Sequence, residues 1–272
     1  MNIGFCVKLI NPMLAIIFAV VSLTQSPAKS QQSHNERIRF IQPTLEKEPE
    51  NRGAPKDRQG AGTRGDCPNV SIPLTALIPL MSNNLSQKQQ KPVNASTTKF
   101  ALGLTVSEFP TFWFYFPYAA QDVNSVKLIL LDEENNSVTK EPISINISGT
   151  PGVISVRLPA TEKPLESGKY YHWYFLVDCN PQSRTDDIAV EGLVKRIEPN
   201  SDLNRRLKTK NPEEIAVIYA EAGIWQDAIS TLGELRRSKP QDSRLASDWQ
   251  GLLKSVELDS IATQTITPCC NP

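Results

Sequence analysis

Two short segments hold most of the aromatic residues of this chain, and they limit its fold more than any other feature. Twelve of the 19 aromatic residues lie within residues 109–118 and 170–175. The first segment contains the run PTFWFYFPY, whose alternate side chains would point to opposite faces of a strand. Trp113 and Tyr115 share one face, and three phenylalanines share the other. Because both faces are apolar, the run predicts a central strand whose second face is covered by a loop, a helix or another molecule.

The second segment, KYYHWYFLVDC at residues 169–179, shows the same alternation. Its dry face carries Trp173 and ends at Cys179, whereas the wetter face carries His172, for which we expect a hydrogen-bonded surface position. We expect the two aromatic strands to pair with each other and to anchor the core. The alternative is a ligand-contacting stripe of rings that stacks on sugars, and it consists of Trp113, Tyr115, Tyr170 and Tyr174.

Short apolar runs separated by turn residues extend from Cys67 to about Asn200. They occupy residues 70–79, 98–106, 111–117, 125–132, 138–147, 152–159, 169–179 and 188–197. No long helical period interrupts these runs. The pattern therefore predicts an antiparallel Ig-like β-sandwich over residues 67–200, in a chain that is mainly β with a helical C-terminal part.

The apolar period changes from two to that of a helix after residue 200. Asn211 and Pro212 predict a helix start, Gly223 a turn, and Pro240 the end of a second helix. A third apolar helical face follows in residues 242–258. The spacing resembles a single tetratricopeptide repeat (TPR), as shown by Ala216, Tyr219, Gly223, Trp225, Ala228, Leu232, Leu235 and Pro240. The pattern predicts a TPR-like hairpin plus a capping helix at residues 201–258, followed by a tail at residues 259–272.

The N-terminal residues have the composition of a targeting segment. Lys8 is the only charged residue before an apolar run at residues 9–23, and small residues follow up to Ser30. This pattern is typical of a signal peptide, which we assign to residues 1–30. It predicts an exported protein, periplasmic or extracellular, with no stable membrane span after cleavage. An uncleaved membrane anchor is the alternative.

A polar segment at residues 31–66 follows the predicted signal peptide. It contains EKEPENRGAPKDRQGAGTRGD, which is rich in glycine, proline and charges of both signs. Such a composition buries too little apolar surface to offset the entropy lost on ordering. We therefore predict that residues 31–66 form a disordered polar arm.

Four cysteines remain when Cys6 is removed with the signal peptide, and export would place them in an oxidising compartment. A bond between the adjacent Cys269 and Cys270 would be strained, so we predict a disulfide between Cys67 and Cys179. It would close a loop of about 110 residues and contribute roughly 4–5 kcal/mol. Cys269 and Cys270 would then be reactive or pair elsewhere. The alternative is that some cysteines remain free thiols.

Charge and motifs give little support for catalysis. The formal net charge is zero, so we expect no nucleic-acid partner. His34 and His172 are the two histidines of the chain, which argues against a histidine-based metal site or triad. No phosphate loop, zinc-protease or nucleophile-elbow motif occurs. We therefore predict no catalytic, cofactor-binding or metal-binding residues and no cofactor.

Two charged clusters have simple structural interpretations. The run LNRRLKTK at residues 203–210 is typical of a charged helix that joins two domains. The acidic run at residues 132–136 lacks the ligand spacing of a calcium loop and predicts a solvated hairpin turn.

The order of these landmarks resembles the cyanobacterial domain of unknown function 928 (DUF928) family. The matching pieces are GAGTRGDCP, LTALIP, PTFWFYFPY, GTPGVISVRLP, PLESGKYYHWYFLVDCN, EGLVKRI, YAEAGIWQDAISTLGELRRSKPQD and DWQGLLKSVEL. They extend from about Gly60 to Leu258. The resemblance implies an exported protein of cyanobacterial type, and it brings no established activity or catalytic residues.

These features lead to three functional hypotheses. The leading one is an exported, non-enzymatic interaction or structural protein that docks a protein or a cell-envelope component, through exposed helix positions and the covered face around Trp113 and Tyr115. The second is a carbohydrate-binding module that uses the aromatic stripe. The third is a hydrolase built on carboxylates such as Asp178, Asp186 and Asp187.

Overall fold

The computed structural model describes residues 1–4, 37–45, 55–60, 67–82, 99–182, 187–267 and 270. The chain divides into two compact units, residues 1–33 and residues 34–272. Residues 1–4, the described part of the first unit, have no regular secondary structure. The rest of the predicted signal peptide lies outside the described residues. In the part of the chain that the structure describes, no helix is both long and apolar enough to cross a membrane.

The described residues of the second unit form two β-sheets, so the prediction of a mainly β chain is confirmed. The strands are β1 (Thr75–Ala76), β2 (Leu80–Ser82), β3 (Lys99–Thr105), β4 (Thr111–Phe116), β5 (Ser125–Leu131), β6 (Ile143–Ser144), β7 (Gly152–Arg157), β8 (Tyr170–Asp178) and β9 (Ile188–Arg196). One sheet has the order β1-β4-β7, and the other has the order β2-β3-β9-β8-β5-β6. All neighbours are antiparallel except β3 and β9, which are parallel.

The two aromatic strands, β4 and β8, lie in different sheets, so the prediction that they pair is wrong. β4 pairs with β1 and β7, and β8 pairs with β5 and β9. Their rings meet across the sheets instead. Phe114 stacks on Phe175 with ring centroids 4.0 Å apart and contacts Trp173 edge-on at 5.6 Å. A glycine on β9, Gly192, leaves room for Trp173, because a Cβ there would lie 2.2 Å from its ring.

The second face of β4 is covered by helices, which confirms that both faces of this strand are buried. The helices are α1 (Ser201–Leu207), α2 (Pro212–Glu221), α3 (Trp225–Ser238) and α4 (Ser243–Lys254). Trp113 is 2% exposed, and its Nε1 donates a hydrogen bond to Ser230 Oγ on α3 at 3.0 Å. A Cβ on Gly233 would lie 2.3 Å from the same indole ring. Helix α3 therefore packs directly on β4.

The helix boundaries follow the capping signals in the sequence. Asn211 accepts a hydrogen bond from the Glu214 amide, and the Glu214 side chain accepts one from the Asn211 amide, which completes a capping box at α2. Gly223, with a φ of +74°, allows the tight turn between α2 and α3. Asp242 caps α4. The predicted helix at the basic cluster is α1, where Arg205 and Arg206 form ion pairs with Asp202 and Glu221.

Two stretches of the predicted polar arm pack against the core, so residues 37–45 and 55–60 are not a disordered segment. Ile38 is 1% exposed, and Phe40 contacts the Trp225 ring edge-on at 5.2 Å. The buried Arg58 guanidinium donates hydrogen bonds to the main-chain carbonyls of Ile78, Val256 and Glu257. Composition averaged over residues 31–66 concealed these few anchoring side chains. The remainder of the arm lies outside the described residues.

A disulfide joins Cys67, which precedes β1, to Cys179 at the end of β8, and this confirms the predicted pair. Cys270 is also disulfide-bonded, and its partner is not among the described residues. Cys269 lies outside them. In the predicted tail, Thr265 and Thr267 hydrogen-bond through their main chains to Val153 and extend the edge of the three-stranded sheet.

Candidate functional site

A polar cleft of about 730 Å³ lies between the three-stranded sheet, the end of β3, and helices α2 and α3. We name it the Asp227 cleft. Six serine and threonine side chains line it: Thr105, Ser107, Thr111, Ser155, Ser230 and Thr231. Its apolar lining is formed by Phe109, Pro212, Ile215 and the ring of Tyr219. Strand β4 and helix α3, which hold part of this lining, also bury the ring of Trp113 between them.

Asp227, in the first turn of α3, fixes one end of the cleft. Its Oδ2 accepts hydrogen bonds from Thr105 Oγ1 at 2.8 Å and from the Val106 amide at 3.1 Å. Burial raises the pKa of this carboxyl to about 6, against the opposing effect of these hydrogen bonds. The carboxylate also raises the pKa of the neighbouring Tyr219, whose burial has the larger effect. At neutral pH the cleft therefore contains a largely ionised carboxylate near the end of β3.

Two residues of the cleft, Gln226 and Arg237, each have a buried polar side-chain atom without a hydrogen-bond partner among the described residues. Gln226 is 3% exposed and lies over Gly103 of β3, where a Cβ would come within 3.1 Å of Gln226 Cγ. Its side-chain oxygen Oε1 is buried and has no hydrogen-bond partner among the described residues. Buried polar atoms are nearly always paired, so an unpaired one needs a donor that the surrounding protein atoms do not supply, such as an ordered water molecule or a bound group.

Arg237 forms the opposite end of the cleft and is held in place by three contacts. Its guanidinium donates to Glu234 Oε1 at 2.6 Å and to Ser155 Oγ at 2.8 Å, and it lies 5.2 Å from the centre of the Trp113 ring. The described ionised side chains that line the cleft are Asp227, Glu234, Arg157 and Arg237. Two acids and two arginines give the lining a formal charge of zero.

A second polar cluster lies on β8 and β9. His172 Nε2 is 2.8 Å from Glu191 Oε2, and His172 Nδ1 is 3.1 Å from the Tyr174 hydroxyl. Burial lowers the pKa of His172, although Glu191 acts in the opposite direction. The histidine is 8% exposed, so its predicted surface position is wrong. Both ring nitrogens have partners, which makes this cluster part of the sheet packing.

The structure does not bring together the four aromatic residues predicted to contact a ligand or partner. Trp113 and Tyr115 lie on the helix-covered face of β4, with exposures of 2% and 8%. Tyr170 and Tyr174 lie on β8 in the other sheet, where Tyr170 is 7% exposed and Tyr174 is half-buried. In each strand these rings occupy the face opposite to the one that meets the other strand, so no continuous stripe forms.

Acidic groups elsewhere are held by local hydrogen bonds. Asp132 accepts from the amides of Glu134 and Asn136 within its own turn, which fits the predicted hairpin turn. Asp178 accepts from Asn124 and from the Asn180 amide, while Asp186 lies outside the described residues. Among the residues that the structure describes, no group of three or more histidine, cysteine, aspartate or glutamate side chains is placed to hold a metal ion.

The sequence interpretation did not identify the Asp227 cleft. Gln226 and Asp227 directly follow a buried tryptophan at a helix start, where an acid has an ordinary role near the helix N-terminus. Their significance depends on contacts with β3, which lies more than 100 residues earlier in the chain. A polar Gln-Asp pair next to Trp225 is the one local signal that could have drawn attention to this position.

Comparison with known proteins gives one match. A family model described as Domain of Unknown Function (DUF928) covers residues 59–266. No curated protein and no solved structure matches the chain. The matched range contains strands β1–β9, helices α1–α4 and every residue of the Asp227 cleft.

Proposed function

The chain belongs to the DUF928 family, and from this premise we propose that it is an exported, non-enzymatic protein that docks a protein or another component of the cell envelope in the Asp227 cleft. The observation that carries the proposal is the unpartnered Oε1 of Gln226. A buried acceptor without a donor costs about 1–3 kcal/mol of stability. A docked partner that supplies a donor recovers this free energy, and folding alone does not.

The arrangement of the cleft favours binding over catalysis. The Asp227 carboxylate is engaged by Thr105 and Val106, so it acts as an anchor between α3 and β3. Arg237 is likewise engaged by Glu234 and Ser155. The surrounding hydroxyl groups offer directional hydrogen bonds on rigid helix and strand positions, which suits recognition of a partner.

The location of the protein is part of the same proposal. The charge and apolar pattern of residues 1–30 supports export to the periplasm or the outside of the cell. The resemblance of the sequence motifs to the DUF928 family supports a protein of cyanobacterial type. The Cys67–Cys179 disulfide supports an oxidising compartment.

Two finer structural assignments belong to the proposal as well. The facing aromatic rings of β4 and β8 support an Ig-like β-sandwich, from which the parallel β3–β9 pair departs. The capped α2, the turn at Gly223 and the following α3 support a TPR-like hairpin with α4 as its capping helix. In this assignment the hairpin buries one face against β4, whereas a repeat in a longer array buries it against the neighbouring repeat.

The carbohydrate-binding alternative through the aromatic stripe has little support from these positions. Trp113, Tyr115 and Tyr170 are each less than 9% exposed, and they lie in two separate sheets. A sugar ring needs an accessible aromatic face for stacking.

Sedimentation with isolated cell envelopes of the producing organism tests the proposed function. The purified full chain is compared with Gln226→Met, which keeps the side-chain length and removes the amide, and with Gln121→Met, a matched control at an exposed position. We expect the original protein and Gln121→Met to sediment with envelopes and Gln226→Met to remain largely in solution. Equal sedimentation of all three proteins would refute docking in this cleft.

A further inference from the structure

We infer that the Asp227 cleft binds an uncharged saccharide, whose hydroxyl groups pair with Gln226 and with the hydroxyl side chains around it. The inference rests on the proposed function and names the chemical class of the envelope component. It uses a different surface from the aromatic stripe on β4 and β8.

The charge of the cleft favours an uncharged ligand. Its two acids and two arginines cancel in formal charge. Arg237 is committed to Glu234 and Ser155, and the charge of the exposed Arg157 is balanced by that of Asp227. A phosphate or carboxylate group would normally use a helix N-terminus or a free arginine fork. Here the first turn of α3 already contains a carboxylate, Asp227, which opposes the binding of a second anion.

The hydrogen-bonding groups of the cleft match those of a sugar. Hydroxyl and carboxamide side chains both donate and accept hydrogen bonds, and the Gln226 oxygen still requires a donor. The hydroxyl groups of a saccharide also donate and accept, and they are distributed around its ring. A single sugar unit has the groups to donate to Gln226 Oε1 and to accept from the partly exposed hydroxyls of Thr111 and Thr231, which the other side chains of the cleft leave available.

The remaining wall of the cleft suits the C–H faces of sugar rings. Phe109, Tyr219 and Ile215 line the cleft, are partly exposed and give it apolar surface beside its polar groups. Aromatic and aliphatic side chains of this kind pack on apolar ring faces while polar groups hold the ring edge. The volume of about 730 Å³ falls within the range of about 300–1,000 Å³ that is usual for sites of small ligands.

Gln226→Met separates binding from folding. The substitution removes an unsatisfied buried oxygen and places an unbranched apolar side chain over Gly103. We expect the variant to unfold at the same temperature as the original protein or at a higher one, because no hydrogen bond of the Gln226 oxygen is lost. A loss of ligand binding in this variant therefore cannot be attributed to unfolding.

The test is a printed array of uncharged, sulfated, sialylated and uronic-acid oligosaccharides, probed with the full chain. The strongest uncharged hit is then titrated by calorimetry against the original protein, Gln226→Met and Gln121→Met. We expect saturable binding of an uncharged oligosaccharide, about tenfold or more weaker in Gln226→Met and within about twofold in Gln121→Met. The inference is wrong if no uncharged glycan binds, if charged glycans bind more tightly, or if Gln226→Met binds equally well.

Chemical treatment of the envelopes distinguishes this inference from the proposed function. Periodate cleaves the vicinal diols of sugars, whereas a protease removes protein partners. We expect Gln226-dependent sedimentation to be lost after periodate and to persist after protease. If it instead survives periodate and is lost after protease, the saccharide inference fails while docking in the cleft stands. If sedimentation never depends on Gln226, both fail.

Discussion

Replacing Asp227 with asparagine should remove a specific pH dependence of stability. In the folded chain the pKa of this carboxyl is about 6, whereas an aspartate in an unfolded chain has a pKa of about 3.9. Below about pH 4 the carboxyl is mostly protonated in both the folded and the unfolded chain, so its titration does not lower the free energy of unfolding. As the pH rises toward 6, the unfolded chain loses the proton first, so the native state is progressively destabilised. Above the folded pKa the loss of stability is complete.

The size of this effect follows from the difference in pKa. About two pKa units at 1.36 kcal/mol each correspond to roughly 3 kcal/mol between pH 4 and pH 7.5. Asparagine has nearly the same shape and keeps an oxygen that accepts from Thr105 and the Val106 amide, but it does not ionise. The stability of Asp227→Asn relative to the original protein should therefore increase with pH by up to that amount.

Urea unfolding at several pH values between 4 and 8 measures this difference. The free energy of unfolding is compared for the original protein, Asp227→Asn and the exposed-site control Asp122→Asn. The contributions of all other titrating groups cancel in the comparison when the variant is isostructural. We expect a sigmoidal rise centred between the two pKa values for Asp227→Asn that exceeds any change seen for the control. A flat line for Asp227→Asn, within about 0.5 kcal/mol, would refute the assignment of Asp227 as a buried carboxylate.

Two further substitutions test contacts that join distant parts of the chain. Arg58→Met removes three hydrogen bonds from a buried guanidinium to main-chain carbonyls and should lower the free energy of unfolding by about 2–4 kcal/mol in urea titrations, whereas the exposed Arg39→Met should change it by less than about 0.5 kcal/mol. Equal effects would show that residues 55–60 do not anchor the core. Gly233→Ala places a Cβ against the Trp113 ring and should reduce stability by about 1–3 kcal/mol, although alanine favours a helix by about 1 kcal/mol. A more stable Gly233→Ala protein would contradict the close packing of α3 on β4.

Local patterns in the sequence correctly predicted those structural features that are determined within one short segment. Alternation in PTFWFYFPY showed that β4 is apolar on both faces, and the structure buries both. The Asn211–Pro212 start of α2 also follows from groups within one helical turn. Such features depend on backbone geometry and neighbouring side chains, which the sequence contains directly.

Local patterns could not predict features that depend on contacts between residues far apart in the chain. Alternation identifies the faces of β4 and β8 but not their neighbours, because pairing within one sheet and packing across two sheets produce the same pattern. The anchoring of Arg58 to Val256 joins residues 198 positions apart. Gln226 and Asp227 likewise gain their roles only when α3 lies on β3, and a periodicity that predicts a helix does not say which strand the helix will cover.

Helix α3 connects the aromatic core to the proposed ligand site. Its Ser230 and Gly233 pack on Trp113, while Gln226 and Asp227, about one turn earlier, lie over Gly103 and the end of β3. The contact that buries the indole ring therefore also sets the distance between the polar groups of the cleft and the sheet. Because these groups lie on a packed helix and two strands, the cleft is preorganised by the core, and a partner that binds there need not order a loop.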